Sequence, residues 1–209
     1  MVSAENTGEM KYEEANKDEQ NVTNKIITSK EAKCFSSPSN PQVFFDIKIG
    51  TSHVGRMIIE LFANVCPKTC ENFRQFCTGQ MKKNGIPIGY KNSRFHKVIA
   101  NFIVQGGDFI NHDGSGVTSI YGEKEFEDEN FDVQHNAAGI ISMANKNEPN
   151  TNGCQFLITC GPCPKFDNHY VAFGQVHPDS MYILQMIESV KVVSSKPTTD
   201  IIIAECGEM

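Results

Sequence analysis

The stretch SRFHKVIANFIVQGGDF, residues Ser93 to Phe109, decides the fold. It alternates polar and apolar residues, turns at Ala100-Asn101, runs apolar again and stops at Gly106-Gly107. Alternation broken by a short turn predicts two brief antiparallel strands, Arg94–Ile99 and Phe102–Gln105. Lys97 and Gln105 set polar heads among Phe95, Val98, Ile99, Phe102, Ile103 and Val104. A lysine in such company either lays its stem over apolar neighbours with its ammonium in water, or belongs to a site.

The same punctuation runs outward from this hairpin. QVFFDIKIG alternates through Val43, Phe45, Ile47 and Ile49, and VGRMIIELF follows a Gly50-Thr51-Ser52-His53 turn, which predicts a second hairpin. Further strands are expected at Gly139–Ala144, Cys154–Cys160, Val171–Val176 and Asp200–Cys206. Pro67 to Gly79 reads as a helix, with proline tolerated in the first turn, Cys70, Phe73, Phe76 and Cys77 on one face, and glycine as the stop. A second helix is expected from Asp179 to Val190, capped by Asp179, with Met181, Ile183, Leu184 and Ile187 on its apolar side. Two helices among about eight short strands predict a mainly β protein: a closed eight-stranded antiparallel barrel with a helix capping each end.

The chain has 209 residues, 39% of them hydrophobic, which is enough for one sizeable core. Residues 1–38 differ: up to Asn24 scattered apolar residues stand among Glu, Asp, Lys and Asn, too few to offset the entropy of ordering. They are expected to form a disordered or loosely ordered charged tail, with a folded domain over 39–209. A net charge of −6 argues against nucleic-acid binding as the main task. No apolar run of about 18 residues predicts a membrane span, and the N-terminus has neither the apolar core of a secretory signal nor the composition of a transit peptide. An intracellular protein, nuclear or cytoplasmic, is expected. The eight cysteines read as buried free thiols rather than a disulfide framework. Cys160-Gly-Pro-Cys163 has the spelling of a dithiol redox centre, yet Pro164 follows at once and no helical stripe comes after it, so a lowered thiol pKa is not expected.

FHKVIANFIVQGGDF, SIYGEKEFEDENF (Ser119–Phe131), GIISMANKNEPNTNGCQFLIT (Gly139–Thr159) and YVAFGQV (Tyr170–Val176), in this order and spacing, resemble the cyclophilins. These are barrel-shaped peptidyl-prolyl cis-trans isomerases, and the resemblance covers about residues 40–209. Within the family, the insertion QMKKNGIPIGYKNS (Gln80–Ser93) and the ending ECGEM are similar to the spliceosomal branch that accompanies the U4/U6 small nuclear ribonucleoprotein. The resemblance therefore implies isomerisation of X-Pro bonds, a role in protein folding or spliceosome assembly, and a ribonucleoprotein protein as partner. It implies a monomer with no cofactor and no metal.

Residue by residue, the resemblance places Phe102 at the floor of a proline pocket and Gln105 at the amide that bonds the peptide backbone. Ala144 and Asn145 fall where the family pairs with an extended substrate, Gln155 at a second polar anchor, and His96 beside the catalytic position. Lys97 stands where the family carries its catalytic arginine. Ile103 replaces a methionine, Leu157 replaces the pocket's second phenylalanine and so loosens one wall, and Phe166 takes a leucine position. Lys165 occupies the position of the drug-contacting tryptophan, and Tyr170 that of a pocket histidine. An ammonium is a flexible point charge where a guanidinium presents a fixed fork of donors, so catalysis is expected to be weak, and cyclosporin binding to be weakened. The rival reading is a cyclophilin-fold binding module with little turnover.

Overall fold

Bulges and twist turn the strands of this protein into a curled wall rather than a flat sheet. The computed structural model describes residues 35–122 and 124–209. Gln42–Ile49 (β1) and Ser52–Leu61 (β2) pair antiparallel around a tight turn at Gly50-Thr51. The register shifts between Ile47 and Lys48, and β1 shifts again between Asp46 and Ile47 against Ile201–Glu208 (β12). Each extra residue bends its strand and sharpens the local twist.

Beyond β2 come two short two-residue strands, Lys82–Lys83 (β3) and Ile86–Pro87 (β4), then Lys97–Ile99 (β5) and Ile103–Gly106 (β6). Ile140–Met143 (β7), Phe156–Thr159 (β8) and Ala172–Val176 (β9) follow, and a small hairpin of Val192–Val193 (β10) and Lys196–Pro197 (β11) precedes β12. The main sheet has eight strands in the order β12-β1-β2-β9-β7-β8-β6-β5, all pairs antiparallel. Its two ends meet. Phe95 donates its N–H to Ile201 at 3.0 Å, Ile203 donates to Ser93 at 3.0 Å, and Asn92 donates to Ile203 at 2.7 Å. The expected eight-stranded barrel is thus closed by the segment leading into β5, with shorter strands than the sequence suggests.

Pro67–Thr78 (α1) lies at one end, burying Cys70, Phe73, Phe76 and Cys77 as its stripe predicts, and Gly79 ends it in the left-handed region at φ 68°. Met181–Glu188 (α2) lies against β2 at the other end and buries Ile183, Leu184 and Ile187. Asp179 does not cap α2. It lies in a one-turn 3-10 segment, Pro178–Ser180, and its carboxylate faces His177 Nδ1 at 3.6 Å. The main core is aromatic: Phe45, Phe73, Tyr90, Phe156 and Phe173 pack with ring centroids 5.0 to 5.9 Å apart. Tyr90 is wholly buried and satisfies its hydroxyl by donating to the Cys154 carbonyl at 2.8 Å.

Gln80–Ser93 contains the β3–β4 hairpin, whose turn residues Asn84 (φ 53°) and Gly85 (φ 79°) both adopt the left-handed conformation that two-residue hairpins favour. The tail expected over 1–38 lies, as far as Cys34, outside the described residues. Phe35–Pro38 are described and are held to the barrel. The Phe35 ring packs 6.0 Å from Phe62, and the buried Glu60 carboxylate accepts from the Ser36 hydroxyl, the Ser37 N–H and the Asn40 amide. No helix among the described residues is long and apolar enough to cross a membrane.

Candidate active site

Successive residues of a strand face opposite sides, and β5, β6 and β8 use both sides for apolar packing. Val98, Val104, Phe156 and Ile158 point into the barrel and join the main core. Ile103 and Leu157 point outward, where water would ordinarily be met, yet they are only 4% and 3% exposed. They are covered by Cys163 and Phe166, with half-buried Ile99, Phe102 and Tyr170 at the margin. An apolar cluster on the outside of a barrel, separate from its core, needs a reason.

The cover is a one-turn 3-10 segment, Pro164–Phe166, and the residues after it. Phe166 sets its ring 5.2 Å from Phe102 and 4.5 Å from Tyr170, both tilted. The opening that leucine at position 157 was expected to leave is occupied, because the larger Phe166 lies in the same buried cluster. Tyr170 is fixed by donating its hydroxyl to Asn147 Oδ1 at 3.0 Å. The two cysteines bracket Phe102: the Cys160 N–H donates to its carbonyl at 2.8 Å, and the Cys163 thiol lies 3.7 Å from the same oxygen.

The covering segment is anchored from behind by His135, which the sequence reading did not single out. The His135 carbonyl accepts the Cys163 N–H at 2.7 Å, and Asp167 Oδ1 accepts both the His135 N–H and its Nδ1, each at 2.8 Å. With Nδ1–H donating to a carboxylate, Nε2 accepts from the Ser142 hydroxyl at 2.6 Å. The spelling is that of a serine hydrolase, but His135 and Ser142 are both 0% exposed and no substrate reaches them. Burial lowers the His135 pKa, only partly opposed by Asp167, so the ring is neutral near pH 7.

A polar row borders the cluster. Lys97 pairs directly with Gln105, so both side chains share one face of the hairpin. Gln105 Nε2 donates to Gln155 Oε1 at 3.1 Å, while Gln155 Nε2 donates to the carbonyls of Gly114 and Gly116 at 2.8 Å each. Two carbonyl acceptors fix which way the Gln155 amide points, and that in turn leaves the Gln105 oxygen directed away from Gln155. The loop supplying those carbonyls is wrapped around Asp108, whose buried carboxylate accepts the N–H groups of Ile110, Asn111, Asp113, Gly114 and Gly116. Burial alone would raise the Asp108 pKa; the backbone donors outweigh it and hold the group well below the usual carboxylate range.

The remaining candidates take mixed places. Ala144 donates its N–H to the Gln155 carbonyl at 3.0 Å, just past the end of β7. Asn145 spends its side chain on the His169 carbonyl and the Asn147 N–H. With Gln105 and Gln155 these residues line a hollow of about 180 Å³. A second hollow of about 370 Å³ lies between Asn145, Asn147 and Glu148 on one side and Lys165, Phe166 and Tyr170 on the other. Larger surface grooves of about 610 and 620 Å³ lie beside the Asp108 loop and over α1. Neither holds the residues of the apolar cluster. His96 packs beneath Gly114, where an added Cβ would stand 2.9 Å from Nε2, so it supports the Asp108 loop. Burial lowers its pKa as well.

The seven described cysteines are all free. Burial pushes the Cys160 thiol up to about 12 and raises that of Cys163, and no helix of useful length begins there, so the pair is a poor dithiol centre. Among the described residues no His/Cys/Asp/Glu group is arranged to hold a metal.

Taken together, the outer face sets a packed apolar cluster beside Lys97 and a pair of aligned amides. The sequence profile described as "Cyclophilin type peptidyl-prolyl cis-trans isomerase/CLD" matches residues 44–208. The chain is 53% identical over 174 residues to peptidyl-prolyl cis-trans isomerase CYP22 of Arabidopsis thaliana, covering 83% of this chain and 86% of that protein. It is 50% identical over 173 residues to peptidyl-prolyl cis-trans isomerase 11 of Caenorhabditis elegans, covering 82% and 93%. With peptidyl-prolyl cis-trans isomerase H of Rhizopus delemar it shares 52% identity over 170 residues, covering 81% and 94%. The chain belongs to the cyclophilin-type peptidyl-prolyl cis-trans isomerases.

Proposed function

We propose that the cluster of Ile103, Leu157, Phe166 and Phe102 is the proline pocket, that Lys97 and Gln105 act on the peptide at its rim, and that turnover is slow. In this reading His96 supports the rim, Ala144, Asn145 and Gln155 anchor the peptide, and Tyr170 closes the far side. The barrier to be lowered is about 18–20 kcal/mol. Bringing an exchange of tens to hundreds of seconds to milliseconds requires lowering it by about 5.5 kcal/mol. The pocket holds the ring while the preceding carbonyl rotates, and a cation at the rim favours the pyramidal prolyl nitrogen as conjugation is lost.

One observation carries the reduced rate. Lys97 is half-buried opposite Gln105, yet its ammonium makes no hydrogen bond or ion pair among the described residues. Positive charge is carried on a flexible stem in place of a planar fork of donors, and losing a preorganised donor costs about 10²–10³ in rate. The test is peptide exchange by NMR or a protease-coupled assay on the wild type, Lys97→Arg and Phe102→Ala. Lys97→Arg is expected to raise kcat about tenfold or more, and Phe102→Ala to abolish turnover. Indifference to both changes would overturn the assignment. Peptide binding at the uncatalysed rate would select the binding-module reading instead.

The resemblance of Gln80–Ser93 and the C-terminal ending to the spliceosomal branch supports a monomer acting in the nucleus or cytoplasm, docked to a U4/U6 ribonucleoprotein protein. Capture from nuclear extract that returns no U4/U6 component would sink that placement. Cyclosporin is expected to bind weakly, because Lys97, Leu157, Lys165 and Tyr170 all change the contact surface; a sub-micromolar Kd would contradict this.

A further inference from the structure

The ammonium of Lys165 lies 4.1 Å above the centroid of the Phe102 ring. Phe102 is half-buried, with Phe166 tilted against it at 5.2 Å, so the lysine covers the ring the pocket offers as its floor. Lys165 is itself exposed and has no carboxylate partner among the described residues. By contrast Lys146 is paired with Glu125. A cation over an aromatic face is attracted by the ring's quadrupole, and the attraction is modest where water competes.

The base of Lys165 cannot wander. Its turn is tied on both sides to His135, through the Cys163 N–H at 2.7 Å and the Asp167 carboxylate at 2.8 Å. Only the flexible stem and its ammonium are free to move. The carboxylates of this region are engaged: Asp167 with His135, Asp128 with the Asn150 N–H and the Asn152 amide, and Glu188 with the Asn101 N–H. Glu148 is exposed on the far side of the 370 Å³ hollow. A proline ring settling on Phe102 therefore displaces a charge that the protein does not itself receive.

We infer that Lys165 is a specificity-determining residue, selecting X-Pro peptides that carry an acidic side chain next to the proline. This rests on the cluster being the proline pocket. An Asp or Glu beside the proline receives the displaced ammonium; a neutral neighbour gives nothing in return, and a basic one adds repulsion.

The test uses peptides of one length that differ only in the residue before or after proline, taken as Glu, Gln or Lys. Exchange rates and Kd are measured on the full chain and on Lys165→Met, which keeps the stem and removes the charge. In the wild type at low salt, a Glu peptide is expected to exceed its Gln counterpart by about three- to tenfold in kcat/KM, mainly through KM, with the Lys peptide lowest. Added salt shrinks the ratio. In Lys165→Met the ratio falls to about one and the Gln peptide improves. Equal Glu-to-Gln ratios in the two proteins would overturn the inference while leaving the pocket in place. Neither binding nor turnover of any peptide by either protein would overturn the pocket assignment and this inference with it.

Discussion

Gln105 and Gln155 form an amide pair at 3.1 Å in which Gln155 is the oriented member, because its own nitrogen is committed to two backbone carbonyls. The relationship makes Gln155 a support for the free side-chain oxygen of Gln105, the atom the proposed pocket would present to a peptide. Gln155→Leu removes three hydrogen bonds, leaving the Gly114 carbonyl without its side-chain donor and the Gly116 carbonyl with only the weak Cys154 thiol. The expected result is a loss of about 1–3 kcal/mol in denaturant unfolding and a fall in isomerase kcat/KM of about tenfold. Asn at this position, with a shorter reach, should recover little of either.

The His135–Asp167 bond ties down the end of the turn that carries Phe166. Asp167→Ala removes the bonds to the His135 ring and to the His135 N–H while leaving the Cys163 N–H to His135 carbonyl bond in place. Stability is expected to drop by about 1.5–3 kcal/mol, the range for a hydrogen bond to a charged group. Peptide KM should rise, and the Phe102 and Phe166 ring resonances should shift by NMR. Unchanged ring shifts would show that apolar packing alone places the turn.

Leu157 and Phe166 share one buried cluster, so their sizes are coupled. Leu157→Phe alone overfills the recess, at about 1–3 kcal/mol, and Phe166→Leu alone opens it. The double substitution should be closer to wild type than the sum of the two, with a coupling of about 0.5 kcal/mol or more. Urea unfolding of the four proteins at constant m-value checks the cycle.

Two buried histidines and several hydrogen-bonded carboxylates, Asp108 and Glu60 among them, respond to acid. Burial lowers the folded-state pKa of His96 and His135 below 6.5. Below that value the unfolded chain binds protons that the folded chain refuses. Their contribution to stability is therefore full above about pH 6.5 and is lost as pH falls below it. Asp108 is also depressed, below 3.8, so its contribution is lost in a second, more acidic window. Thermal unfolding should show a declining Tm from pH 7 to 5 and a further decline under pH 4. His135→Gln should flatten the first slope; an unchanged slope would rule out His135 as its source.

Much of the barrel is legible along the chain. Alternation through Val43, Phe45 and Ile47 marks which side chains enter the core, and the spacing of Phe73, Phe76 and Cys77 marks the buried face of α1. Pairing of Lys97 with Gln105 follows from a hairpin turned at Ala100-Asn101. The limits are equally specific. Tyr90 sits in an insertion without periodicity, yet it is among the most buried side chains. Asp108 reads as one more polar residue after two glycines, and nothing local announces that five N–H groups converge on it.

Sequence by itself determined the alternation, the turns, the helix faces and the family, because each is encoded in neighbouring residues or in motifs at fixed spacing. Only the tertiary structure decided what stands over the outer face of β6 and β8. His135 meets Asp167 across 32 residues, Gln155 meets Gly114 across 41, and Lys165 comes to rest on Phe102. Those meetings depend on the order in which strands pair, with β7 held between β8 and β9. Periodicity tells a side chain which way to face, and strand order tells it what it will find there.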